Sequence, residues 1–293
     1  MEYFVHTAII LNIYAILIVS AQLVIGHAKL ISLGQGAIFG AGAYFMALSM
    51  IRLQIPFVPA IMIAIAGNAL IGLLIAWPSA RLKGDYFVLT TLGFQFIIFQ
   101  LTYNLSSVTG GSDGLGGIPS PRWPGLSDES QPYFILSLSV FITALVFMLY
   151  YRLLRSDFGR NIRAMSDNEL LYKASGRSVI KIKSQLISFS AATTALGSGL
   201  YAVYMNYLDP HAFNLDKSIL ILTGVMLGSL TRLRGALAGA LIITLLPEVL
   251  RFAGLPAAQG ASLRQIIFGA VLVGLMFFIS WRRKKQNQTN NNE

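Results

Sequence analysis

Cysteine is absent from this chain, which excludes disulfides, thiolate catalysis and cysteine-ligated metals. Three scattered histidines build no metal site either. Charge is scarce, at 12% of residues against about 25% in soluble proteins. No G-x-x-x-x-G-K-[ST] run occurs, so the chain holds no ATP through a P-loop, and an ATP-driven process needs another subunit. No ionisable residue lies clearly in the middle of an apolar run, which argues against proton or sodium coupling, since a charge at the bilayer centre costs at least ~2.5–3.5 kcal/mol. Asp85 and Glu248 sit near run ends, and Glu248 precedes Arg251 at the i, i+3 spacing of an ion pair. No catalytic cluster is recognisable, so an enzyme is not expected.

What is present is apolar: 55% of 293 residues are hydrophobic, gathered in repeated runs near twenty residues. Such runs match the length that crosses a bilayer. The composition predicts an all-α polytopic membrane bundle of about 8–10 segments, some short or broken. The net charge of +10 would suggest nucleic acid in a soluble protein. Here the basic residues cluster at the ends of apolar runs, where they orient a chain in the lipid bilayer, so no nucleic-acid partner is expected.

Predicted spans run from about Val5 to Ile25, 31 to 51, Phe57 to Ala80, Asp85 to Tyr103, Pro132 to Tyr151, Ser184 to Met205, and Arg264 to Trp281. Two more are doubtful by length: 219 to 230 is too short for a full crossing, and 235 to 250 is marginal. The first run has no basic n-region before it and reads as a retained span rather than a cleaved signal. The second opens with Ser32, Gly34 and Gln35 and is rich in glycine, as a discontinuous membrane helix would be. Residues 104 to 131 are rich in glycine, serine and proline and predict a long loop with no regular element forced on it. With nine crossings and an outer amino terminus, seventeen of the twenty-two basic residues fall inside, as the positive-inside rule requires. The glycine-rich loop is then external and the carboxyl terminus cytoplasmic, where residues 282–293 form a basic, polar, disordered tail.

Two glycine pairs, Gly36/Gly40 and Gly235/Gly239, stand four apart in similar segments and suggest an internal repeat. Such pairs let helices approach closely, within the chain or between subunits. Neutral polar residues punctuate the spans, among them Ser32, Gln35, Thr91, Gln95 and Thr194. They either bond helix to helix or line a path for a small polar solute.

One polar island interrupts the apolar runs: residues 158 to 183, within a loop drawn as 152–183. Ser166 and Glu169 spell S-x-x-E, a capping box, and Gly176 supplies a stop. The helix between them would have about nine residues, fewer than the ~12–15 an isolated helix needs in water. Leu170, Leu171 and Ala174 form its apolar stripe. Lipid headgroups or a groove on another protein could hold it, and the segment alone does not choose.

Five blocks then carry a resemblance: SLGQGAIFGAGAYFMAL (32–48), KGDYFVLTTLGF (83–94), TGGSDGLGGIP (109–119), the polar island, and the LGSL and GALAGA segments between 227 and 240. In this order they are similar to the M-type permease of branched-chain amino-acid ABC importers. The resemblance implies a transport domain over residues 1–281. Its implied partners are a second, H-type permease, two cytoplasmic ATPase subunits that bring ATP and magnesium, and an external solute-binding protein in a bacterial or archaeal inner membrane. It also implies that Ala164, Asp167, Glu169, Ala174 and Gly176 contact the ATPase, for which the stripe of Leu170, Leu171 and Ala174 is the expected docking face, and that Thr109, Gly110, Gly111 and Gly114 lie near the binding protein or pathway mouth. No cofactor is expected in this chain. Gln35 stands where the family usually has histidine, and residues 230–234 depart from its usual Gly-Pro step. The alternative is a stand-alone channel or secondary carrier for a small neutral solute such as urea or an amide.

Overall fold

The computed structural model describes residues 2–121 and 130–252, together with Gly269, Ala270 and Gly274. The described chain is a bundle of helices. Helix α1 (Glu2–Gln22) ends in a π-helical turn, Leu23–His27. The long helices α2 (Gln35–Arg52), α3 (Phe57–Ser79) and α4 (Asp85–Asn104) follow. After the one-turn α5 (Ser106–Thr109) come α6 (Gln131–Arg155), the short α7 (Asp157–Asp167) and α8 (Glu169–Ala174), and the long α9 (Val179–Met205). Helices α10 (Leu215–Gly228) and α11 (Leu233–Phe252) complete the described chain. Five helices are long and apolar enough to cross a membrane among the described residues. Apart from Gly269, Ala270 and Gly274, the last predicted span lies outside the described residues, as does the polar tail.

Helices α1 and α9 form the centre. Each is 72% buried over its best membrane window, whereas α4 is only 17% buried. A helix buried to this extent is surrounded by protein, and α9 packs on α1, α2 and α3. The outer helices instead show large apolar side chains to the surroundings, such as Leu70, Trp77, Phe96 and Phe141. In water such a surface would be unstable; in lipid it is the expected boundary.

Helix α10, at 14 residues, spans roughly 21 Å, short of the ~30 Å hydrocarbon core. Both glycine pairs serve contacts within the chain. A Cβ on Gly235 or Gly239 would run into the backbone of α10 at Gly228 or Gly224, and one on Gly36 or Gly40 would meet Asn214, Ser218 or Phe213.

The connections separate into two ends. At one end Lys29 and Lys83 reach α7 and α8 through ion pairs. Arg232 and Arg234 line a cavity there together with α7 residues. At the other end strand β1 (Leu115–Gly116) pairs antiparallel with β2 (Tyr207–Leu208), and Arg52 donates to the Ser107 carbonyl. The predicted long loop is therefore not irregular throughout. It folds into α5, a 3₁₀ turn at Gly111–Asp113 and β1, because four glycines with positive φ, at 110, 111, 114 and 117, let the chain reverse tightly. The Tyr207 hydroxyl donates to the Asp113 carbonyl at 2.6 Å and fastens the loop to the α9–α10 connection.

Candidate functional site

The membrane-embedded candidate site is built around the start of α2. Between the π turn and Gln35 the backbone is non-helical, so the first N–H groups of α2 open inside the bundle. Gly34, at the N-cap, offers no side chain. Other helices cap α2 instead. The Gly36 N–H donates to Ser218 Oγ at 2.7 Å, and the Ala37 N–H to Gln95 Oε1 at 2.6 Å. The Ser218 hydroxyl donates to the same Gln95 oxygen at 2.9 Å, and Gln95 Nε2 donates to the Phe213 carbonyl at 2.8 Å. One amide thus joins α2, α4, α10 and the 210–213 turn.

Beside this node lies a small cavity of about 10 Å³, lined by Ser32, Gln35, Thr91 and Ser190 together with Val24, Ile38, Ile75, Phe87 and Ile187. It has room for about one water molecule. Thr91 Oγ1 accepts from the Leu33 N–H at 3.2 Å and donates to Val88, and Ser32 Oγ accepts from the Gly34 N–H at 3.3 Å. Ser190 donates to the Ser20 carbonyl at 2.7 Å. Gln35 is 2% exposed, lines the cavity, and its amide makes no hydrogen bond to a described residue.

Of the predicted pathway residues, Ser32, Gln35 and Thr91 therefore meet at one cavity. Gln95 and Thr194 do not line it. Gln95 is engaged at both ends of its amide, and Thr194 Oγ1 donates back to the Ser190 carbonyl within α9. Ser190 and Ser218 complete the arrangement; Ser218 was missed because its role depends on α10 folding against α2, which no local pattern encodes.

The second candidate is the polar end of the bundle. Here the capping box is corrected. Ser166 lies within the last turn of α7, where its hydroxyl donates to the Arg163 carbonyl. The N-cap of α8 is Asn168, whose Oδ1 accepts from the Leu170 and Leu171 N–H groups at 3.1 and 3.0 Å. The predicted nine-residue helix is a six-residue one. Asparagine caps as well as serine does, and from position 168 its oxygen reaches both orphan donors. Gly176 does close the segment, with φ +76° and its N–H on the Lys173 carbonyl at 3.0 Å.

Glu169, released from the capping box, faces two lysines. Its carboxylate lies 3.3 Å from Lys83 Nζ and 3.6 Å from Lys183 Nζ. Asp167 pairs with Lys29 at 2.9 Å. The two carboxylates thus bind α7–α8 to the segment after α1, the approach to α4 and the first turns of α9. Lys183, drawn in sequence as the end of the island, belongs to α9, which already begins at Val179. Ala164 and Ala174 are exposed, and Leu170 and Leu171 are 72% and 67% exposed, with only Tyr172 of α8 buried. The apolar stripe is therefore presented outward, and intramolecular ion pairs do the holding.

At the opposite end Thr109 accepts from the Gly111 N–H and donates to the carbonyls of Thr102 and Leu105. Gly110 and Gly114 approach other backbone so closely that a Cβ would collide, at Gly114 with the Leu208 carbonyl. These residues shape the loop. Among the described residues no group of three metal-ligating side chains occurs.

An apolar multi-pass bundle with a broken helix and an outward-facing anchored helix defines a polytopic membrane protein. The chain belongs to the family described as branched-chain amino acid transport system, permease component, whose model matches residues 3–276. It is 27% identical over 269 residues to the high-affinity branched-chain amino acid transport system permease protein LivM of Salmonella typhimurium, and 28% identical over 269 residues to that of Escherichia coli. Each match covers 84% of this chain and 63% of the relative. A probable branched-chain amino acid transport permease protein LivM of Methanocaldococcus jannaschii is 28% identical over 230 residues, covering 75% of this chain and 65% of that protein. The chain thus spans under two thirds of the length of these relatives.

Proposed function

We propose that this chain is a permease subunit of an ATP-driven importer of branched-chain or related amino acids, and that it forms the translocation path with a second, H-type permease. Two ATPase subunits, carrying ATP and magnesium, dock at the α7–α8 end, which is cytoplasmic. A solute-binding protein docks at the β1–β2 end, and Thr109, Gly110, Gly111 and Gly114 hold that surface in shape. The amino terminus is then outside and the carboxyl terminus inside a bacterial or archaeal inner membrane.

One observation carries the reading: α8 is capped, anchored by Glu169, and offers Leu170 and Leu171 to solvent at the basic end of a membrane bundle. Exposed leucines beside a fixed helix suit a groove on a partner. Glu169 links that helix to α9 and to the approach to α4, and both carry cavity-lining residues about one and two turns further on: Phe87 and Thr91, Ile187 and Ser190. Displacing α8 would pull on the walls of the cavity, and the chain's own part is to convert docking motion into opening.

Uptake of radiolabelled leucine into proteoliposomes tests this. Transport should require the second permease, the ATPases, the binding protein and ATP together. Uptake by this chain alone would replace the importer with a stand-alone carrier.

A further inference from the structure

A cavity of about 880 Å³ opens at the α7–α8 end, between the end of α1, the end of α6, α7 and the α10–α11 turn. Its charge is unbalanced. Lys29, Arg155, Arg163, Arg232 and Arg234 line it against one carboxylate, Asp167. That carboxylate is already paired with Lys29. Arg163 donates to the Leu154 carbonyl, and Arg155 stacks 4.0 Å over the Tyr151 ring, an arrangement that leaves its edge donors available. The guanidinium groups of Arg232 and Arg234 make no hydrogen bond or ion pair with a described residue.

The walls of the cavity continue as two apolar tracks. From Leu233 on its rim, Leu237, Leu241 and Leu245 follow at four-residue steps along α11, which places them on one face, and all three are exposed. From Tyr151, Met148 follows at a three-residue step along α6, and it is exposed. Helices α6 and α11 touch. A cationic chamber at the end of membrane-crossing helices, with two oily tracks leading away from it, matches an amphiphile that has an anionic head and two tails.

We propose that this chamber binds the headgroup of an anionic phospholipid, such as phosphatidylglycerol, with its phosphate among Arg155, Arg232 and Arg234 and its acyl chains along α6 and α11. This assignment does not depend on the transport reading. The site is distinct from the cavity at the start of α2, and no residue lines both.

The test is native mass spectrometry and thermal unfolding of the purified full chain in detergent, titrated with phosphatidylglycerol, phosphatidylcholine or inorganic phosphate. Phosphatidylglycerol should be retained and should raise Tm above the value with phosphatidylcholine. Arg232→Gln with Arg234→Gln should weaken retention roughly twenty-five-fold, at about fivefold per basic residue. Arg152→Gln, on α6 but outside the chamber, is the matched charge control and should leave retention unchanged. Should the double variant fail to fold, Arg155→Gln alone should still weaken retention about fivefold. Equal retention of the two lipids, or a loss as large in Arg152→Gln, overturns the proposal. Equal stabilisation by inorganic phosphate overturns it in favour of a small-anion site, and release of the lipid when a second permease binds assigns the face to that subunit instead.

Discussion

Glu169 and Lys183 lie 3.6 Å apart, and of the two it is the lysine that is buried, with its side chain 3% exposed against 22% for the glutamate. Lys83, the second cation on Glu169, is 56% exposed. Removing the carboxylate strands a buried ammonium, whereas removing Lys83 breaks only a solvated pair. Glu169→Ala should therefore cost about 1–3 kcal/mol of stability, and Lys83→Ala under about 1 kcal/mol. Thermal unfolding in detergent measures both. Equal losses would remove Lys183 as the partner that matters. In the reconstituted transporter Glu169→Ala should also let ATP hydrolysis proceed with little uptake, while membrane insertion stays normal.

The cap of α8 can be assigned by a pair of substitutions. Asn168→Ala frees the Leu170 and Leu171 N–H groups and should cost about 1 kcal/mol. Ser166→Ala should stay within about 0.5 kcal/mol, since that hydroxyl only bonds back within α7. The reverse order would restore Ser166 as the cap.

Leu170 and Leu171 are exposed, so replacing both with aspartate should leave the stability of the isolated chain nearly unchanged. Binding of the ATPase subunit should fall by more than tenfold, as expected when apolar anchors at an interface centre become charged. Pull-down from detergent solution reads the effect. Unaltered binding would show that another surface docks.

The two glutamines should behave oppositely. Gln35 has no hydrogen-bond partner among the described residues, so Gln35→Ala should change leucine uptake while Tm moves little. Gln95→Ala leaves the Ala37 N–H without its acceptor in a buried setting and should cost about 1–3 kcal/mol. An unchanged uptake rate and substrate profile in Gln35→Ala would return that residue to ordinary packing.

At the far end, Gly114→Ala should be worse than Gly117→Ala. Both have positive φ, and Gly114, with ψ −178°, lies in a region essentially confined to glycine. Only Gly114 adds a collision, with the Leu208 carbonyl and the Tyr207 ring, while Gly117 has open space. Equal unfolding temperatures would mean that the β1–β2 contact yields without cost.

Much of the architecture was legible because hydrophobic length is a local property. The runs at Val5–Ile25 and Phe57–Ala80 became α1 and α3, and the glycine-rich opening of the second run became a break before Gln35. The alternation of basic loops matches the gathering of Lys29, Lys83 and Arg232 at one end. Cross-chain bonds were not legible. Ser218 and Gln95 meet across 123 positions, and Glu169 finds Lys83 only after α3, α4 and α9 have packed. The S-x-x-E pattern misled because Asn168, two residues on, caps the Leu170 and Leu171 N–H groups instead and starts the helix later. The outward position of Leu170 and Leu171 was equally invisible, since a short apolar stripe reads the same whether it faces inward or out.

The borrowed cap of α2 has a mechanical consequence. Because Gly36 and Ala37 give their N–H groups to Ser218 and Gln95, α2 cannot slide against α4 or α10 by small increments. A shift of an ångström leaves two buried donors stranded together, and a longer one must find them new acceptors. The three helices are therefore clutched: they travel as one block, or they disengage in a single step.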